Sequence, residues 1–450
     1  MIGELEPKRI AASRVRYDVL AAGCSFAFLT YIQRQAFVAA TPEIKDALDL
    51  NQEQMGYLAS AFLVAYGIFQ VPCGLIGDRL GARHLLTLLV LGWSVLTGMT
   101  ALADRLPVEG AWPFCFLIGV RFLFGAFQAG AFPAWARVMT DWMTVRQRAT
   151  GQGAVWMFSR LGGAVGPYLF LGLFLYFDTW TTPLWILAGL GVVWCAGFWP
   201  WFRNRPEQMR QVNFAERELI AAGRGAGAGE QGAGERGVGE RGAGERGTVP
   251  WSTLFTSVNV WSLCLMYGFV GFAGNFITNL LPVYLADTRE LPPRWVKGLM
   301  SMPLALGIIS CLLGGFLSDW IIGLWGSRKW GRRFSGIIGL TLAGLTILVV
   351  PWVHSVWLLA VVLSASFFFN DLNIGPAWAA CADVGERHAG TISGAMNMIG
   401  QFGGALGMSF AGSMLEGGHS ELLFIVFACS YGLAACCWLA VDVTRPLIQH

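Results

Sequence analysis

The chain is a succession of long apolar runs separated by short charged or turn-rich breaks. A helix that crosses a bilayer needs roughly 20 mostly apolar residues. Runs of that size recur twelve times, over approximately 17–40, 54–77, 84–103, 112–137, 148–177, 181–203, 254–286, 298–322, 331–350, 355–380, 388–415 and 421–441. The pattern predicts an all-α membrane protein of twelve transmembrane helices. The first run follows a charged arm containing Lys8, Arg9, Arg14 and Arg16 and shows no small-residue cleavage pattern. It therefore reads as a retained span rather than a signal peptide.

Composition agrees with this reading. Of the 450 residues, 55% are hydrophobic and only 13% charged, and the mean hydropathy is +0.54. Soluble domains are about a quarter charged, so this apolar surplus has no place in water. A soluble enzyme, a nucleic-acid binder and a disordered chain are excluded. The net charge of +3 is too small to argue for a polyanionic partner. The ten cysteines are scattered, nearly all within apolar runs, with no Cys-x-x-Cys pair, and Cys436 adjoins Cys437. They read as packing residues, so neither a disulfide framework, a metal nor a cofactor is expected.

Basic residues orient the map. With the N-terminus in the cytosol, the short cytosolic segments carry fifteen Lys and Arg against five in the exterior loops. Cytosolic loops of membrane proteins are enriched in Lys and Arg. Both termini are therefore expected in the cytosol, in a bacterial inner membrane or a plasma membrane. Segment 204–250 differs from its surroundings and contains the repeat GAGERGVGERGAGERG over 232–247. Such glycine content offers no apolar face and reads as a flexible cytosolic linker. It divides the chain into 1–203 and 251–450, each with six runs.

The two halves echo each other. After the second run come Gly74, Asp78, Arg79, Gly81 and Arg83; after the eighth come Gly314, Gly315 and Asp319, then a basic stretch ending at Arg333. Glycine lets helices approach closely. An acid at a helix end, followed by a tight turn and basic groups, can latch onto a neighbouring helix terminus and its dipole. A solvated turn obeying the charge bias would look the same in one copy, but two copies at equivalent places argue for a latch.

Residues 74–83 match the loop signature Gly-x-x-x-Asp-Arg/Lys-x-Gly-x-Arg/Lys, and with it the chain resembles the major facilitator superfamily along essentially its whole length. The resemblance implies two pseudo-symmetric six-helix bundles around a central cavity, working by alternating access. Further stretches narrow the likeness: Tyr31 to Phe37, Ser60 to Pro72, Arg121 to Pro133, Trp142, Arg148 and Gly390 to Asn397. Together they are similar to the anion:cation symporter family, which includes sugar-acid and hexuronate symporters.

Away from the ends of the runs, four charged residues lie clearly within the membrane: Arg34, Arg121, Arg160 and Asp371. Charges at membrane depth are costly and are functional candidates by default. At 1.5 Å per residue, Arg121 lies roughly 14 Å from the outer end of its helix and Arg160 roughly 18 Å from the inner end of its own. Three guanidiniums make a positive cavity suited to an anion, because arginine presents a permanently charged fork that matches carboxylate.

The resemblance places Arg34 at the family's substrate-coordinating arginine. Arg121 fits gating or direct contact equally, and Arg160 fits substrate contact or a helix–helix bond. Tyr31 and Tyr66 match positions that hydrogen-bond a carboxylate ligand, or pack in the core. The family's proton-coupling carboxylates are replaced by Gln33 and Gln128, and an amide cannot carry the proton. Asp371 is then the coupling candidate, as a proton site, a sodium ligand, or a partner for an arginine across the cavity. Asn275 with Asn279, and Asn397 with Gln401, lie four apart on helical faces. They suit hydroxyl recognition or interhelical bonding.

The expected function is uptake of a small organic anion, such as a hexuronate or aldonate, coupled to H+ or Na+, by a monomer in the lipid bilayer. No chemical reaction is expected. An uncoupled exchanger or uniporter is the nearest alternative. An exporter of amphipathic compounds would call for an aromatic cavity with few fixed charges.

Overall fold

The computed structural model describes residues 11–106, 111–225, 251–281 and 284–447. Twelve helical spans account for most of them. In the first half, α1 is Val15–Ala39, α2 is Gln52–Ile68 with Gln70–Leu80, and α3 is Ala82–Leu102. They are followed by α4, Trp112–Ala129 with Ala131–Trp142, then α5, Arg148–Phe177, and α6, Thr181–Trp201. In the second half, α7 is Val258–Asn279, α8 is Pro293–Trp325 and α9 is Arg328–Val349. The last three are α10, Val356–Asp371 with Ile374–Gly385, α11, Ala389–Glu416, and α12, Ser420–Ala440.

Three spans are broken, which hydropathy alone does not reveal. The breaks at Phe69, Gly130 and Leu372–Asn373 each precede a proline, Pro72, Pro133 and Pro376. Proline has no N–H, so the carbonyl four residues earlier loses its helical partner and the helix yields nearby. In α2 the two segments diverge by 47°. The seventh run, expected at 254–286, is likewise divided: Trp251–Thr256 is a separate short helix and Tyr284–Thr288 a separate turn.

Nine helical stretches of the described residues are long and apolar enough to cross a membrane, or ten with the bent α2 pair. One of them, Val356–Glu416, is 61 residues long. That is about three times the length a bilayer needs; the stretch is divided at Glu386–His388 into α10 and α11.

The halves pack by one repeated scheme. α1 lies on α5 as α7 lies on α11, α3 on α6 as α9 on α12, and α2 on α4 as α8 on α10. Across the halves, α5 meets α8 and α2 meets α11, again a matched pair. Small residues permit these approaches. A Cβ added at Gly162 would stand 2.5 Å from the Phe28 carbonyl oxygen, and Gly407 presses as closely on Phe272. Bundles in lipid gain most from such close van der Waals packing. Large side chains such as Leu175, Val193, Trp357 and Leu406 face outward, as a lipid-facing surface requires.

One expectation needs correction. The linker reading treats 204–250 as flexible throughout, but residues 206–225 are folded. A 3-10 turn at Pro206–Gln208 leads to the helix Phe214–Gly225. Its Glu216 is fully buried and accepts hydrogen bonds from the Val15 and Arg16 backbone N–H, the Ser13 hydroxyl and the Arg16 guanidinium. A carboxylate at the positive end of α1 is favourable, and Met209, Val212 and Ile220 bury beside it. This local sequence lacks the glycine repeat, which begins only beyond it. Residues 226–250 lie outside the described residues. The end of the molecule carrying this cap and the final residues is called the termini face below.

Candidate functional site

The termini face is organised by two matched latches. Asp78, near the end of α2, accepts from the backbone N–H of Gly390 (3.1 Å) and Thr391 (2.8 Å) and from the Thr391 hydroxyl (2.6 Å), at the start of α11. Asp319 of α8 accepts from the N–H and hydroxyl of Thr150, both at 2.7 Å, at the start of α5. Each acid thus sits on the helix N-terminus of the opposite half, where unpaired N–H groups and the helix dipole favour a negative charge. Four residues before each acid a glycine makes room: Gly74 lies against the Gly390 carbonyl and Gly315 against the Ala149 carbonyl. A Cβ at either place would collide with backbone.

The rest of the signature works within its own half. Gly81 takes φ +82°, a left-handed conformation that glycine adopts without strain. Arg83 then turns back and donates to the Trp199 carbonyl near the end of α6, at 2.9 and 2.7 Å. Arg79 is exposed. A third junction was not singled out from sequence. Asp383 of α10 is paired with Arg148 of α5 (2.6 Å) and Arg332 of α9 (3.1 Å), and Arg332 also reaches Asp319 (2.6 Å). The signal was present in a lone acid just past the tenth apolar run, while Arg148 entered only the charge count and the family likeness and Arg332 only the charge count and the basic stretch.

At mid-depth the charges behave differently. Arg34 donates from Nε to the Gln128 amide oxygen at 2.8 Å, and its buried Nη2 has no hydrogen-bond partner. Its guanidinium carbon lies 4.8, 5.2 and 4.7 Å from the ring centres of Tyr31, Phe62 and Tyr66. Arg121 is 4% exposed and stands 3.9, 4.9 and 5.3 Å from the rings of Phe37, Phe62 and Phe124. Among the described residues it makes no hydrogen bond, and no acid lies within ion-pair distance of either arginine. Aromatic faces attract a cation, but they leave its charge uncompensated. Phe62 contacts both guanidiniums and was missed from sequence, although it stands four residues before Tyr66 on the same face of α2.

Gln33 and Gln128 are both committed. Gln33 accepts from the Trp93 indole at 2.6 Å and donates to the Leu187 carbonyl at 2.6 Å. Gln128 accepts from Arg34 and donates to the Thr30 carbonyl at 3.1 Å. Each amide holds an acceptor and a donor role at once, as a protonated acid would, without being able to release a proton.

Arg160 does have an acid. Its Nε and Nη2 each lie 3.0 Å from an oxygen of Asp371. This two-point fork joins α5 of one half to α10 of the other. Asp371 is fully buried and also accepts from the Asn370 amide at 3.0 Å. Of the alternatives open for Asp371, the geometry displays an arginine partner from the opposite half. Tyr31 lies against Gly163, three residues beyond Arg160.

The amides of the second half divide. Asn397 donates to Gln70 of α2 at 2.9 Å, a bond between the halves, and Gln70 is a further residue that sequence reading passed over. Asn275 donates to the Gly271 carbonyl in its own helix and packs against Gly404 of α11. Gln401 is partly exposed and makes no hydrogen bond to the described residues. The Asn279 side chain lies outside the described residues. Tyr66 is buried and stacked on Phe62 at 5.6 Å, so it serves the arginine cage and the packing together.

Comparison with known proteins gives one picture. The family model described as Major Facilitator Superfamily matches residues 23–408. A probable sulfoacetate transporter of Cupriavidus necator is 27% identical over 97% of this chain and 95% of its own length. The hexuronate transporter of Bacillus subtilis is 27% identical over 93% of this chain and 92% of its own. A probable galactarate/D-glucarate transporter of Escherichia coli is 26% identical over 83% and 81%. Among solved structures, the proton:xylose symporter XylE superposes with a TM-score of 0.73 at 10% identity, covering 96% of both chains. The transporter FucP in its outward conformation superposes with a TM-score of 0.69 at 12% identity, covering 95% of this chain and all of that one. At such identities these structures speak to the fold alone.

Proposed function

The chain belongs to the Major Facilitator Superfamily, and from that premise we propose that it imports a small organic anion, of the sugar-acid or short acidic class, across a bacterial inner membrane or plasma membrane. It is a membrane transporter rather than an enzyme. The observation that carries the anion reading is Arg34: a guanidinium at membrane depth, wrapped by three aromatic rings, with an unpartnered nitrogen and, among the described residues, no acid beside it. An uncompensated cation there is unfavourable until an anion arrives. The names of the relatives, which cover sulfoacetate, hexuronate and galactarate/glucarate carriers, support the same ligand class.

The positive-inside bias supports a cytosolic termini face. On that orientation the Asp78 and Asp319 latches close the cytosolic side, and transport requires them to part. Asp371 is the coupling element. Taking up a proton, or being displaced by the substrate's acidic group, it releases Arg160 and with it the mid-depth bond between the halves. Only a ligand or ion that binds the two facing states differently can bias that motion. Proton symport is the first reading. Uncoupled exchange is the second, favoured by the fixed amides of Gln33 and Gln128.

The test is uptake by the purified full chain in proteoliposomes, with proton, sodium and voltage gradients imposed separately on a panel of hexuronates, aldarates and sulfoacetate. Saturable uptake of at least one anion that is lost in Arg34→Gln supports the reading. Undiminished uptake by that variant, with the protein folded, removes Arg34 from the site.

A further inference from the structure

Resting on the anion reading, we propose that this site selects substrates with two acidic groups: a short dianion that engages Arg34 with one end and Arg121 with the other. The argument begins with charge. Of the four ionised side chains at membrane depth, Arg160 and Asp371 neutralise each other at 3.0 Å. Arg34 and Arg121 remain, and among the described residues neither meets an acid. The resting site therefore holds two positive charges that the protein does not balance. A singly charged ligand would leave one of them unpaired in a poorly screened region.

Geometry puts the two within reach of one small molecule. Their guanidinium carbons lie 5.2 and 4.9 Å from the centre of the same ring, Phe62. They are therefore no more than about 10 Å apart. Two acidic groups on a backbone of one to four carbons span such a gap once each is seated on its own guanidinium. Each arginine also has a nitrogen without a partner, Nη2 of Arg34 and Nε of Arg121. Buried donors left unmade cost stability until something accepts from them.

Gln128 sets this balance. It faces Arg34 at 2.8 Å with a neutral oxygen and is held in that orientation by the Thr30 carbonyl. An acid at this position would remove one of the two free charges and with it the reason to prefer a second acidic group. Gln128 is thus a specificity-determining residue, and Phe62 the spacer that fixes the separation of the two cations.

The experiment measures binding to the full chain in lipid nanodiscs at pH 7.5, using matched probes: sulfoacetate against sulfoacetamide, and succinate against succinamate. Each pair shares a skeleton and differs by one charge. The wild type should prefer the dianion by about tenfold or more. The ratio should fall to about twofold in Arg121→Gln and stay well above that in Arg121→Lys, which keeps the charge. Gln128→Glu provides an independent arm should Arg121→Gln fail to fold, and it should lower the ratio in the same direction. Equal affinity for both members of each pair in the wild type would overturn the proposal while leaving the anion reading intact. An unchanged ratio in both Arg121→Gln and Gln128→Glu would overturn it as well. Absence of binding for every anion tested would overturn both readings together.

Discussion

The termini face and the mid-depth layer use the same side chains to opposite ends. On the termini face Arg148, Arg332, Asp319 and Asp383 form a closed network, and Asp78 is bound to three donors of α11. Asp78, Asp319 and Asp383 have each found a complement in the protein. At mid-depth, among the described residues, Arg34 and Arg121 have only aromatic faces and, for Arg34, an amide. Charges that balance internally hold a conformation. Charges that do not balance store a demand that a ligand meets. Arg160–Asp371 stands between these cases, at mid-depth but balanced by a bond between the halves.

Substitutions can break this contrast. The largest effect is expected from Arg34→Gln, with transport reduced by at least about a hundredfold and the folded yield unchanged, because a guanidinium that serves a ligand is not needed by the fold. Radiolabelled uptake and gel filtration check it; a folded yield that collapses would place Arg34 among the structural charges instead. Next comes Asp383→Asn, the reverse case. Removing one partner of a buried network typically costs 3–5 kcal/mol, and here it strands Arg148 and Arg332. The thermal midpoint should fall clearly, and cysteines introduced on the termini face should become easier to label.

A smaller and more selective change is expected of Asp371→Asn. If Asp371 couples the driving ion, the variant retains exchange of internal for external substrate but loses accumulation against a gradient. Preserved accumulation would assign the coupling elsewhere. The smallest effect lies at the tail. Burial pushes the Asp442 carboxyl up, but hydrogen bonds from Lys329 and Thr444 outweigh this and hold it down at about 2. A carboxyl with a depressed pKa stabilises the fold at pH values above its unfolded value near 4, and that contribution is lost as pH falls through about 2. Hydrogen-exchange protection of the amides at residues 441–447 should therefore hold down to about pH 4 and be lost progressively between about pH 4 and pH 2. Protection that does not change between about pH 4 and pH 2 would mean that the Lys329 contact contributes nothing.

Reading the sequence located the spans because a bilayer demands one simple property over a fixed length. It also located the latch, because glycine and aspartate recur at the same spacing in both halves. The broken helices escaped, although Pro72, Pro133 and Pro376 marked them, since hydropathy is blind to a missing N–H. The folded cap at 206–225 escaped because its stability comes from Glu216 meeting the start of α1, about two hundred residues away in the chain. The partner of Arg160 was left open for the same reason, and so was the choice for Asn397 between hydroxyl recognition and interhelical bonding, where the structure shows a bond to Gln70.

The linear order of residues by itself determined a membrane-embedded helical protein with arginines at depth, because apolar length and buried charge are local properties that no fold can hide. Only the tertiary structure decided which of those arginines are already satisfied. Pairing depends on which helices face one another, and that is set by packing across the whole bundle, where, among the described residues, Arg160 meets an acid and Arg34 and Arg121 do not.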